Sequence, residues 1–179
     1  DRMHSRGDDL GIAKSIGEAD DVVTLITIHK SKGLEFPVVF VAGMDRTFNN
    51  ADFRSRYMFD DTFGIAVNTV NTELNFMTKS LPILYISDKK RAKMKAEEMR
   101  ILYVAMTRAK ERLILVGSIK KWEETKEEWD RFASIGVHDV LPSYERAKAN
   151  SYLSWVGPAL ASHPEFAFVR RGYNSEPVE

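Results

Sequence analysis

Val22-Val-Thr-Leu-Ile-Thr-Ile28, the connection His29-Lys-Ser-Lys-Gly-Leu-Glu-Phe36 and the run Pro37-Val-Val-Phe-Val-Ala42 form the stretch on which the fold turns. The first run is rich in β-branched residues and, threonines aside, apolar on both faces, which predicts an interior strand covered on both sides. The last run has the same character, and its proline stands first, where a missing N–H costs a sheet least. The polar connection has one glycine and is long enough for about one helical turn.

Working outward, residues 57–67 read as two short strands around a turn containing Asp60 and Asp61, a hairpin. Residues 68–81, rich in Asn and Thr, read as irregular surface. Residues 88–108 carry no Gly or Pro and predict a long helix with Ser87 as its N-cap, its second half buried through Met99, Leu102, Met106 and Ala109. Leu113-Ile-Leu-Val116, ended by Gly117, predicts another interior strand. Helices are expected over 120–134 and 142–154, with Gly157-Pro158 as a break before a short third segment. Strand, turn, strand, long helix, strand is an α/β pattern with a mainly parallel sheet and flanking helices. Residues 1–21, polar and Gly-bearing, read as a linker or boundary segment.

At 179 residues and 44% hydrophobic composition the chain sustains the core of one domain. Its 26 Lys and Arg balance 26 Asp and Glu, which excludes a histone-like arm or an acidic tail and makes any phosphate contact local. The absence of cysteine excludes disulfide frameworks, thiolate metal sites and cysteine nucleophiles, and it fits a reducing, cytoplasmic location. The longest apolar runs fall short of the roughly 20 residues a membrane span needs, so no membrane partner is expected. Opening at Asp1 without an initiator Met, the sequence is expected to be a piece of a longer chain.

Two segments carry candidate chemistry. In residues 27–36, Lys30 and Lys32 can meet phosphates, Gly33 lets the backbone approach a ligand, and Glu35 can accept from a sugar hydroxyl. This segment leaves the carboxyl end of the strand read over 22–28, where open parallel sheets bind ligands; the spacing alone favours a charged, solvated loop. In Glu97-Glu-Met-Arg-Ile-Leu-Tyr-Val-Ala-Met-Thr-Arg-Ala-Lys110, Arg108 leaves the end of the long helix. Either it complements the helix dipole, worth roughly 0.3–1 kcal/mol, or it is a guanidinium held by residues 103–106 and aimed at a phosphate.

Thr27-Ile-His-Lys-Ser-Lys-Gly-Leu-Glu-Phe-Pro-Val-Val-Phe-Val41 and Glu97-Glu-Met-Arg-Ile-Leu-Tyr-Val-Ala-Met-Thr-Arg-Ala-Lys-Glu-Arg-Leu113, in this order, closely resemble motifs V and VI of superfamily I DNA helicases of the UvrD/RecB type. Tyr144-Glu-Arg-Ala-Lys148 and Tyr152-Leu-Ser-Trp-Val-Gly-Pro-Ala-Leu160 extend the similarity to the AddA (RexA) family of bacterial ATP-dependent helicase–nucleases. The resemblance implies a partial RecA-like sheet of the P-loop NTPase type. On it, residues 22–119 are the C-terminal part of helicase domain 2A with a hairpin-bearing insertion, 120–165 a helical extension and 166–179 a tail. Arg108 is implied as the catalytic arginine finger on the γ-phosphate, Glu35 as a contact to the nucleotide sugar, and Gly33 as a backbone approach to the phosphates. His29 and Lys32 are implied to couple the cleft to single-stranded DNA, and Thr27 to lie beside the DNA backbone. ATP with Mg²⁺ is implied for the parent protein and no cofactor for this piece alone. The implied partners are single- and double-stranded DNA, the first RecA-like domain and an AddB/RexB-type protein, in double-strand-break repair.

No G-x-x-x-x-G-K-[ST] occurs, and residues 7–15 have a few of its letters at the wrong spacing, so the piece alone is expected not to hydrolyse ATP. A non-catalytic DNA- or partner-binding scaffold that keeps the motor fold is the alternative of a different class. Phe53-Arg-Ser-Arg-Tyr57 and the basic run 89–95 have the aromatic and cationic make-up of nucleic-acid tracks but read first as ordinary surface. Trp122 and Trp129 read as packing residues, and His4, His138 and His163 are too scattered for a metal site.

Overall fold

The computed structural model describes residues 22–135, 140–161 and 163–166. The linker expected over 1–21, His4, His138 and the tail beyond residue 166 lie outside them. Strand β1 (Phe36–Ala42) pairs in parallel with β6 (Ala109–Val116), Val39 facing Leu113 and Ala42 facing Val116, with a bulge between Phe36 and Val38. Two antiparallel pairs accompany it: β2 (Tyr57–Asp60) with β3 (Gly64–Val67), and β4 (Thr69–Asn71) with β5 (Phe76–Thr78). The architecture is mixed α/β, with one parallel pair and two hairpins among the described residues, in place of the mainly parallel sheet the sequence suggests.

The run over 22–28 is not a strand. Residues 22–27 have no regular structure, and Val23 and Leu25 are fully exposed. A strand exists through backbone pairing with a neighbour, and among the described residues β1 pairs only with β6; strand-favouring composition has no ladder to join here. For the same reason β1 and β6 are covered on one face, not two. Val39, Val41, Leu113 and Leu115 turn toward a core with Met44, Phe48, Leu102, Ala105 and Trp155, while Val38, Phe40, Ile114 and Val116 face outward and stay exposed.

Helix α1 (Leu81–Met106) begins seven residues earlier than expected, and its N-cap is Ser80, whose Oγ accepts from the Ile83 N–H at 3.4 Å, with Pro82 in the first turn. Ser87 is a buried interior residue of that helix. The extra turns bury Ile83 and Ile86 against Phe53, Met58 and Ala66 beneath the β2–β3 hairpin, a second core joined to the first through Met94. The basic run 89–95 therefore sits in mid-helix, away from the positive end of the dipole. Lys89 pairs with Asp60 at 3.0 Å and Arg91 covers the Phe53 ring, so Phe53 is a core residue and not a stacking platform.

The β2–β3 turn forms as predicted: Asp60 Oδ1 accepts from the Thr62 and Phe63 N–H groups and Gly64 takes a positive φ. Residues 68–81, expected to be irregular, contain the second hairpin, whose turn uses Asn75 at φ +49° and Asn71 Oδ1 accepting from the Leu74 N–H.

The C-terminal helices are α2 (Trp122–Ile135), α3 (Ser143–Lys148) and α4 (Leu153–Leu160). The helix predicted over 142–154 is split at Ala149, which is extended, and Ser154 Oγ accepts from the Asn150 and Ser151 N–H groups. Gly157-Pro158 does not break the chain; both lie inside α4. Gly157 is there for space, because a Cβ would collide with the indole of buried Trp129 on α2. Tyr152 donates to Glu98 at 2.5 Å and Lys95 donates to the Ala147 carbonyl, tying this extension to α1. Burial and the Glu98 carboxylate together push the Tyr152 phenol well above its ordinary value.

Candidate nucleotide-facing site

The parallel register assembles the site. Phe36 stands opposite Ala109 and its N–H donates to the Arg108 carbonyl at 2.9 Å. Glu35 and Arg108 each stand one residue before that couple, so the two lead into adjacent strands. They lie at the amino ends of β1 and β6. The carboxyl-end rule does not apply to residues 27–35, because they precede β1 and no strand among the described residues leads into them.

Residues 28–33 form a turn. The Ser31 N–H donates to the Thr27 carbonyl at 3.0 Å, and the buried Ser31 hydroxyl donates to the Ile28 carbonyl at 2.7 Å. Thr27 Oγ1 accepts from the Lys30 N–H at 3.4 Å, so this hydroxyl helps close the turn. Gly33 ends the turn at φ +84° with open space where a Cβ would be, a conformation that favours glycine for its backbone and not for crowding. His29 and Lys32 are exposed on the same turn. Glu35 is exposed and pairs with Lys110 across the strands at 3.6 Å, a surface ion pair worth about 0–1 kcal/mol.

Arg108 follows the end of α1, whose last turns bury Leu102 and Ala105 but leave Tyr103 and Met106 exposed, so the helix end is anchored on one side only. The guanidinium is fixed by hydrogen bonds from all three of its nitrogens. Nε donates to the Val104 carbonyl at 2.9 Å, Nη1 to the Leu34 carbonyl at 3.0 Å and Nη2 to Thr107 Oγ1 at 3.0 Å. Thus Arg108 joins the two sequence segments directly, 74 residues apart. A guanidinium has five N–H donors, so one remains on each terminal nitrogen, a pair suited to anionic oxygens.

Glu35, Gly33 and Arg108 are singled out by the sequence and lie together at the amino ends of β1 and β6; the Leu34 carbonyl, the Thr107 hydroxyl and Lys110 beside them are not. A backbone carbonyl leaves no mark in composition; Thr107 is legible as a hydroxyl next to the arginine at a helix end. Among the described residues no group of three or more His, Asp or Glu side chains is placed to hold a metal ion, and no helix is long and apolar enough to cross a membrane.

Residues 11–120 match the family described as the UvrD-like helicase C-terminal domain. The chain is 60% identical over 167 residues to the A subunit of the ATP-dependent helicase/nuclease of Lysinibacillus sphaericus, covering 93% of this chain and 14% of that protein. It is 48% identical to the equivalent protein of Geobacillus kaustophilus over 91% of this chain and 46% identical to that of Listeria monocytogenes over 93%, in each case 13% of the relative's length. The chain thus spans about one seventh of the length of these relatives.

Proposed function

The chain belongs to the UvrD-like helicase C-terminal domain family, and from that premise we propose that it is part of the second RecA-like motor domain of an ATP-dependent DNA helicase–nuclease. In this reading the domain closes over ATP held mainly by the first motor domain. Bound magnesium–ATP supplies the phosphoryl group. This chain has no cluster of carboxylates suited to magnesium among its described residues, and its own part is to orient and neutralise. Arg108 is the arginine finger, Glu35 accepts from the sugar, and Gly33 allows close backbone approach. Thr27, His29 and Lys32 face single-stranded DNA and pass its presence to the cleft through the same turn that carries Gly33.

The observation that carries this reading is the hydrogen bond from Arg108 to the Leu34 carbonyl, next to Glu35. It joins a cation to the loop that carries Glu35, at the amino ends of β1 and β6, from two distant stretches of the chain. Phosphoryl transfer is governed by positioning and charge stabilisation, and an arginine finger contributes about 10³–10⁵ in turnover, or roughly 4–7 kcal/mol. Repeated closure and reopening would move the motor along DNA during double-strand-break repair in the cytoplasm, with an AddB/RexB-type partner and a double-stranded end as the substrate.

The test is Arg108→Ala in the full-length helicase chain. ATP binding should persist, while DNA-stimulated hydrolysis falls by about 10³ or more. Turnover near the parent's would reject the finger and leave the scaffold that only docks DNA or a partner.

A further inference from the structure

We propose that Thr107 is the positioning residue that sets the reach of Arg108, an inference that rests on the reading of Arg108 as the finger. The Thr107 N–H closes the last turn of α1 on the Tyr103 carbonyl at 3.0 Å. Its hydroxyl oxygen lies 3.0 Å from the same carbonyl and 3.1 Å from that of Val104. A hydroxyl has one proton and two lone pairs. With the proton directed at the helix carbonyls, the oxygen meets arginine only as an acceptor, and it accepts from Nη2 at 3.0 Å. Back-bonding of a threonine to its own helix is common and by itself structural. Here the same oxygen also takes one terminal nitrogen of the guanidinium while the Leu34 carbonyl takes the other.

The consequence is directional. Arg108 carries its charge at the end of several rotatable bonds, and Nε alone would leave the plane of its fork free to swing. Thr107 on one side and Leu34 on the other fix that plane between the helix end and the loop before β1. The remaining donor on each terminal nitrogen is then held in one orientation before any anion arrives, which is the condition under which a charge acts without reorganisation.

The experiment uses the full-length helicase chain with DNA and magnesium–ATP. Thr107→Val keeps the shape and removes the acceptor, and it should lower kcat roughly 10- to 100-fold with KM for ATP unchanged. Thr107→Ser restores the hydroxyl and should recover most of the turnover. In an Arg108→Ala background, Thr107→Val should have no further effect, because the hydroxyl works through the guanidinium. Parent-like turnover in Thr107→Val, equal loss in the serine variant, or an additional loss in the alanine background would each overturn the proposal while leaving the finger intact. Retained turnover in Arg108→Ala alone would overturn the finger reading and the proposal with it.

Discussion

Gly33 ends the turn that leads to the carbonyl held by Arg108. At φ +84° with nothing near a would-be Cβ, alanine there meets strain and no clash, at a cost of about 1–2 kcal/mol. Leu34 follows immediately, so relief of that strain would move the carbonyl that Arg108 holds. Gly33→Ala is expected to weaken DNA-stimulated hydrolysis in the full-length chain, and Gly33→Asn, which tolerates the left-handed region better, to lose less. Steady-state kinetics of the two variants decide it, and equal loss in both would show that the φ value is not what matters. At this scale the site is half legible in the sequence. Glu35, Gly33 and Arg108 stand out as chemistry-bearing residues, and a threonine beside an arginine at a helix end hints at the hydroxyl that holds it, but the carbonyl 74 residues away leaves no mark in residue type.

Helices and strands are legible where local signals and tertiary needs agree. The parallel strands β1 and β6, the β2–β3 turn at Asp60 and the helix over 122–135 follow from β-branched runs, turn chemistry and apolar spacing. The start of α1 does not, because Leu81-Pro-Ile-Leu-Tyr-Ile86 is apolar without an obvious helical stripe until Ile83 and Ile86 are seen under the hairpin. Gly157-Pro158 misleads in the opposite direction. A pair that reads as a helix breaker is tolerated in α4 because the glycine makes room for Trp129. Gly157→Ala should therefore destabilise the chain by about 1–3 kcal/mol through overpacking, even though alanine is the better helix former. A lowered thermal midpoint by circular dichroism is the expected result, and a raised one would mean that propensity outweighs the contact.

At the scale of the whole molecule, one side of the parallel pair is uncovered among the described residues. Val38, Phe40, Ile114 and Val116 lie on it, and the strand-like but unpaired residues 22–27 expose Val23 and Leu25 besides. Large apolar side chains left exposed on one sheet face are the usual place to look for contact with other protein. The two-sided apolar pattern of the sequence is matched on one side only among the described residues. Phe40→Thr combined with Ile114→Thr should reduce binding of an apolar fluorescent dye by the isolated chain without lowering its thermal midpoint. The same pair should destabilise the full-length protein, and a neutral result there would show that the face stays open.

The two cores share a single long element. Helix α1, 26 residues and about 39 Å at 1.5 Å per residue, has the hairpin at its head and Arg108 just past its foot. Such a rod acts as a lever: a tilt of about 3° at the head carries the foot through about 2 Å. Misplacement of about 1 Å can cost a reaction 10²-fold. A tilt of that size imposed at the hairpin would therefore be felt, one helix length away, in the arginine's aim.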